Sequence, residues 1–142
     1  MTFDLGAINW LAVVVASLIY FLVGGLWFAQ QTPIGRAWAS AAAYQSPTSG
    51  VASSNLFYLT PLATAFVASV ATALLVEATG ADTLGDGIVL GLVIGIGFGA
   101  TIVLNLAAFE FNKPRQWVWG VIDATYHVAG LTCAAVVLAL WR

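Results

Sequence analysis

Two residues in the last apolar segment of the chain, Asp123 and His127, have the side chains best suited to chemistry. They stand four positions apart, a spacing that puts a carboxylate and an imidazole on one face of an α-helix. Such a pair can hold or pass a proton, because imidazole titrates near neutral pH and a carboxylate accepts hydrogen bonds. An ionisable group costs about 2.5–3.5 kcal/mol to insert at membrane depth, so the pair indicates a partner or a function.

Three interpretations of this pair stay open. In the first, Asp123 accepts a hydrogen bond from Asn105, from Tyr126 or from a backbone group and locks two helices together, while His127 stays neutral. In the second, the pair relays a proton or an ion. In the third, His127 ligates a metal, a pigment or a haem, although one His and one Asp are too few for a closed zinc site. The first is favoured, and it predicts neither a metal site nor a cofactor, with a bound lipid left open.

The composition places the elements that carry these side chains in a lipid bilayer. Of the 142 residues, 61% are hydrophobic and 7% are charged, whereas a soluble domain carries about 25% charged residues. The net charge of -2, with only four Lys and Arg, excludes the basic surface of a nucleic-acid-binding protein. The single Cys133 cannot form an intrachain disulfide.

Four apolar segments are long enough to cross a membrane, since a spanning helix needs about 20 mostly apolar residues. They cover approximately residues 8–29, 56–77, 87–109 and 116–141. The sequence therefore predicts an all-α polytopic membrane protein, with residues 1–142 forming one domain and four transmembrane helices forming one bundle. The long first connection, Gln30 to Asn55, is punctuated by Pro33 and Pro47, and between them Ile34 to Tyr44 are predicted to form a short helix at the membrane interface.

Tryptophan and basic residues predict how the bundle sits in the membrane. Tryptophan favours the headgroup level, so six residues are predicted interface anchors: Trp10, Trp27, Trp38, Trp117, Trp119 and Trp141. The first and third connections carry Arg36, Lys113 and Arg115, whereas the other side carries only Arg142. The positive-inside rule then places these two connections in the cytoplasm and both termini outside it.

Glycines predict where helices pack closely. Four of them follow one another at four-residue intervals in the third span, as in a glycine zipper, and two more share the stripe of Asp123 in the fourth span: Gly87, Gly91, Gly95, Gly99, Gly120 and Gly130. Small residues let membrane helices approach closely. Asn105 follows Gly87 by 18 positions, or five α-helical turns, which places it on the glycine edge. This ladder exceeds the need of one small bundle, so we expect an oligomer.

Both ends of the chain carry segments with a family resemblance. The first segment is INWLAVVVASLIYFLVGGLWF followed by GRAW, which contains Asn9, Trp10, Gly25, Trp27, Gly35, Arg36 and Trp38. The second is FEFNKPRQWVWGVIDATYHVAG, which contains Phe109, Glu110, Pro114, Ile122, Asp123 and Tyr126. Together they resemble the bacterial family called domain of unknown function 1761. The resemblance covers the whole length and implies a small, multi-pass, four-helix protein of the bacterial inner (plasma) membrane, without implying an activity.

The sequence contains no motif of an enzyme: no nucleophile motif, no phosphate-binding glycine loop and no HExxH. We therefore predict no catalytic residue and expect a non-catalytic protein that assembles with itself or serves as an accessory subunit of a membrane complex. The alternative is a small oligomeric transporter or channel in which Asp123, His127 and Asn105 form a polar pathway. It ranks second because the first two spans offer few polar side chains, mainly Ser17, Tyr20, Thr64, Ser69 and Thr72.

Overall fold

The computed structural model describes residues 5–45 and 55–142, and this part of the chain contains helices and no strand. The α-helical segments are α1 (Trp10–Trp27), α2 (Pro33–Ala42), α3 (Leu59–Thr79), α4 (Leu84–Ile94), α5 (Thr101–Phe109) and α6 (Gln116–Leu140). A 3₁₀ turn, Asn55–Tyr58, precedes α3, and a π-helical segment, Gly95–Ala100, joins α4 to α5. The predicted all-α fold class is confirmed.

Four helices are long and apolar enough to cross a membrane: Trp10–Trp27, Leu59–Thr79, Leu84–Phe109 and Gln116–Leu140. The third of these is the continuous run of α4, the π-helical segment and α5. The four predicted spans are therefore confirmed, with ends shifted by a few residues. The short helix predicted in the first connection is α2, which begins at Pro33, whereas Pro47 lies outside the described residues.

Polar side chains and one glycine fix where several helices begin and end. Asn9 and Thr32 cap α1 and α2 by accepting backbone N–H hydrogen bonds at 3.2 and 2.9 Å. At the start of α4, the Thr83 hydroxyl accepts the Asp86 N–H at 3.1 Å while the Asp86 carboxylate accepts the Thr83 N–H at 3.2 Å. Gly80, at φ 68°, ends α3 in the left-handed conformation that glycine adopts without strain.

The last helix, α6, forms the centre of the bundle, because it packs against α1, α2, α3, α4 and α5. The largest buried cluster lies toward the end of the bundle where α1 begins and α3 and α6 finish. It consists almost entirely of small and β-branched side chains: Ile8, Ala12, Val13, Ala16, Ala73, Val76, Ala81, Ala134, Leu138 and Ala139. Such residues let the helices approach closely at this end of the bundle.

The predicted glycine ladder packs α4 against α6 inside a single chain. A Cβ atom added at Gly87 would lie 2.7 Å from the Val136 Cα, one at Gly91 would overlap the Thr132 backbone, and one at Gly95 would lie 2.8 Å from the Val128 Cα. Gly99, Gly120 and Gly130 meet side chains of His127, Ala107 and Tyr20. All six glycines thus serve contacts within the bundle, and the ladder carries no argument for an oligomer.

The π-helical segment changes which residues of α5 face α6. On a regular α-helix a four-residue interval drifts by about 40° per step, and the wider π-helical turns counteract this drift. The buried positions therefore continue as Val103 and Ala107, four residues apart on α5. Asn105 lies midway between them in sequence and is exposed on the opposite side of α5. Placing Asn105 on the glycine edge assumed uninterrupted α-helical turns, and the structure corrects it.

The short helix α2 is fixed to the rest of the bundle near the start of α6. The Arg115 backbone N–H donates to the Ala41 carbonyl at 3.2 Å, and its Nη2 donates to the Ser40 hydroxyl at 2.7 Å. At the other end of α2, Gly35 lies against the backbone of Ala29, where a Cβ atom would not fit. These contacts hold α2 beside the polar residues of α6.

Candidate functional site

His127 of α6 is paired with Tyr20 of α1 in the middle of the bundle. The Tyr20 hydroxyl lies 2.5 Å from His127 Nδ1, a hydrogen-bond distance whose donor depends on the imidazole tautomer. Tyr20 is only 4% exposed, and His127 is half-buried. The pair joins two spans through polar groups at mid-depth. Sequence reasoning counted Tyr20 among the polar residues of the first span but did not connect it with His127.

Two glycines make room for this pair. A Cβ atom at Gly99 would lie 3.1 Å from the His127 Cβ, so the π-helical segment passes close to the imidazole. The Tyr20 ring covers Gly130, where any Cβ atom would overlap it. The imidazole is therefore enclosed by α1 on one side and by the third span on the other, which fixes its orientation.

Tyr126 extends the pair into a row of aromatic rings that reaches α2. Its ring centroid lies 5.4 Å from that of Tyr20 and 4.7 Å from that of His127. Phe28, Trp38 and Tyr44 continue the row, with successive centroids 5.1, 5.0 and 5.2 Å apart. These distances are typical of favourable ring contacts. Sequence reasoning missed this row of rings. The sequence of the connection between spans one and two does not show which of its aromatic side chains contact α6.

Asp123 lies one helical turn before His127 and is half-buried. Its carboxylate accepts no hydrogen bond from any residue in the described ranges. Asn105, predicted as a partner of this carboxylate or of the imidazole, is exposed on another face and is not brought to the cluster. Lys113 interacts with Asp123 electrostatically, but its ammonium group is bonded to Glu110 at 3.1 Å. Asp123 therefore keeps its hydrogen-bonding capacity free within the described chain.

Further polar groups are buried on α1 and α3. The hydroxyls of Ser17 and Thr72 donate to carbonyls of their own helices, at 2.7 and 2.8 Å. Ser69 is 0% exposed, and its hydroxyl has no hydrogen-bond partner in the described structure. The described residues contain no group of three His, Cys, Asp or Glu side chains that could hold a metal ion. The arrangement can thus accept and donate hydrogen bonds and hold a proton between Tyr20 and His127.

The six tryptophans predicted as anchors lie at or near helix ends, or on α2. Trp10, Trp117 and Trp141 are exposed. Two others also take part in packing: Trp27 Nε1 donates to the Ile122 carbonyl at 3.1 Å, and the Trp119 ring lies 4.4 Å from the Lys113 ammonium. The indole N–H of Trp38 is buried without a partner in the described structure. Their role as membrane anchors stays a prediction.

Four apolar helices of spanning length around a central α6 make this chain a polytopic α-helical membrane protein. Residues 11–139 match the model of the family described as "Protein of unknown function (DUF1761)", so the chain belongs to that family. The family resemblance predicted from the two terminal segments is therefore confirmed. Comparison with curated proteins and with solved structures gives no match.

Proposed function

We propose that this chain is a non-catalytic membrane subunit that assembles within the bilayer, with itself or with a larger membrane complex. One observation carries the proposal: the carboxylate of Asp123 is half-buried and accepts no hydrogen bond from the described residues. Asp123 lies seven residues into α6, about 10 Å along the helix axis. A carboxylate costs about 2.5–3.5 kcal/mol at the centre of a membrane helix and less toward its end, and a donor from a partner helix would remove much of the cost at Asp123.

The neighbours of Asp123 support a partner from outside the chain. His127 already bonds to Tyr20, and the Lys113 ammonium is shared between Glu110 and the ring of Trp119. The described chain therefore has no uncommitted cation beside the carboxylate. A partner helix would supply a Lys, Arg or amide side chain, since such groups hydrogen-bond across membrane helices.

Native mass spectrometry of the protein, extracted gently from its own membrane, tests this proposal. We expect the wild-type chain in an assembly larger than one copy and Asp123→Leu as single chains with an unchanged helical circular dichroism spectrum. Thr125→Val is the control, because Thr125 is an exposed neighbour whose hydroxyl bonds only to its own helix. A monomeric wild type, or an Asp123→Leu protein that stays assembled, would contradict the proposal.

A second candidate function is a small transporter with a polar pathway. The Tyr20–His127 hydrogen bond favours it, because this pair lies at mid-depth on two different helices. In this version the pathway runs through Asp123, His127 and Tyr20, without Asn105. Proton flux into liposomes tests it: we expect Tyr20→Phe to abolish flux without loss of fold, and Tyr58→Phe, at an exposed site, to leave it intact. Absence of flux from the wild type would exclude this function.

We further propose that both termini lie outside the cytoplasm of a bacterial cell, with the polar cluster in the cytoplasmic half. Arg36, Lys113 and Arg115 support this orientation, because all three belong to the connections at the end of the bundle near Asp123. Single cysteines placed at Asn112 and at Thr83, with Cys133 changed to Ser, test it. We expect a membrane-impermeant thiol reagent added to intact cells to label only the cysteine at position 83.

A further inference from the structure

A groove of about 320 Å³, partly open to the surroundings, lies between the end of α3 and the start of α4. It is lined by Thr79, Gly80, Ala81, Asp86, Val89, Leu90 and Val93. The groove has two causes. The chain turns sharply at Gly80, and the glycines of α4 let this helix pack closely against α6 rather than against α3. It lies at the end of the bundle opposite Asp123 and is independent of the proposed assembly function.

The groove changes from polar to apolar along the direction of the spans. Asp86 at its rim is exposed, and Val89 and Val93 follow at roughly one and two helical turns. The span Leu84–Phe109 has 26 residues, about 39 Å of helix, against a hydrocarbon core of about 30 Å. Asp86 therefore falls at headgroup level, and Val93 falls within the hydrocarbon. This polarity matches an amphiphile that lies parallel to the helices.

The rim of the groove carries negative charge. One carboxylate oxygen of the exposed Asp86, Oδ2, accepts bonds from the Thr83 hydroxyl at 2.6 Å and the Thr83 N–H at 3.2 Å. Asp86 forms no salt bridge with the described residues, whereas Asp82 lies outside the groove lining and interacts electrostatically with Arg142. Arg142, the basic residue at this end, is held by Glu77 through two hydrogen bonds of 3.1 Å. The charge of the rim is therefore complementary to a cationic headgroup.

We propose that this groove binds a phospholipid whose headgroup ends in a primary ammonium, namely phosphatidylethanolamine. The ammonium donates to Asp86, and one acyl chain lies over Val89 and Val93. A primary ammonium has three N–H donors. The trimethylammonium of phosphatidylcholine has none, and phosphatidylglycerol brings a net negative charge to an acidic rim. The site therefore selects ethanolamine over both other headgroups.

Headgroup competition tests the proposal with the full chain. Lipids with identical acyl chains and ethanolamine, choline or glycerol headgroups are mixed in equal amounts, and native mass spectrometry counts the retained lipids. We expect a roughly two- to fivefold preference for ethanolamine over choline, the upper part of the range for one exposed ion pair. Asp86→Asn abolishes this preference, because the side chain loses its negative charge. The asparagine amide oxygen can still accept the Thr83 N–H, so the start of α4 is preserved. Asp82→Asn, outside the groove lining, preserves the preference.

A second variant keeps the test decisive if Asp86→Asn fails to fold. Val93 is exposed, so Val93→Trp fills the groove without disturbing the core and lowers retention of all three lipids. Val118→Trp is the control. Val118 is also exposed, but it lies on α6 and outside the groove, so this variant leaves retention unchanged. Equal retention of ethanolamine and choline lipids, preferred retention of phosphatidylglycerol, or undiminished retention by Val93→Trp would each overturn the proposal.

Discussion

Gly91 lies where α4 comes closest to the backbone of α6, and we predict that Gly91→Ala destabilises the protein. An added Cβ atom would overlap the Thr132 Cα and would lie 3.1 Å from the Leu131 carbonyl oxygen. Because these are backbone atoms, no side-chain rotation can relieve the overlap, and the two helices must separate. Overpacking of this kind costs about 1–3 kcal/mol. This cost exceeds the roughly 0.5–1 kcal/mol by which Ala is favoured over Gly within a helix.

Gly25→Ala is the matched control for this prediction. Gly25 also lies in an apolar spanning helix, but it is exposed and has no atom within 4 Å of an added Cβ. Only the helix preference of alanine acts there, so we expect an unchanged or slightly higher melting temperature. The comparison separates the loss of a close helix contact from the general effect of replacing glycine in a helix.

Thermal unfolding in detergent, followed by circular dichroism, measures the difference between the two variants. For a chain of this size about 1 kcal/mol shifts the melting temperature by roughly 2–4 °C, so Gly91→Ala is expected several degrees below Gly25→Ala. Equal melting temperatures would refute the close approach of α4 to α6. They would also refute the assignment of the glycine ladder to packing within the chain.

Three further perturbations test other contacts of the bundle. Gly130→Ala pushes the Tyr20 ring away and should cost about 1–3 kcal/mol of unfolding free energy in the same assay. Tyr20→Phe removes the hydrogen bond to His127 and should cost about 0.5–1.5 kcal/mol, while the imidazole ¹⁵N shift changes because Nδ1 loses its partner. Arg142→Gln breaks the exposed pair with Glu77 and should cost no more than about 1 kcal/mol, with high salt reducing the difference from wild type.

The number and position of the spans could be predicted because an apolar run of about 20 residues has one stable arrangement in a bilayer. The short helix α2 was also predictable, since Pro33 is suited to a first helical turn and Thr32 can cap it. The start of the second span was placed too early, near residue 56, because apolar side chains continue into the 3₁₀ turn Asn55–Tyr58. Composition alone does not separate that turn from the helix.

The partners within the candidate site could not be predicted from spacing on one helix. Asn105 was misplaced because the π-helical segment changes which face of α5 is turned toward α6. No residue pattern in the sequence predicted this segment. Tyr20 was missed because its contact with His127 depends on which helices are neighbours. One signal was available: Tyr20 and His127 lie at similar depths, about 15 and 20 Å from the same end of the bundle when counted along their helices.

The two halves of the bundle differ in how tightly they are packed, and this difference favours the proposed assembly over the proposed transport. Toward the termini, Val13 is 0% exposed and Val76 is 1% exposed, and the polar side chains buried there, Ser17 and Thr72, donate to carbonyls of their own helices. Toward the connections with Arg36 and Lys113, the cluster of Asp123, Tyr126 and His127 is only half-buried. A transported ion would have to separate tightly packed helices to pass the first half. A partner subunit needs no such rearrangement to reach Asp123, which is why assembly ranks above transport.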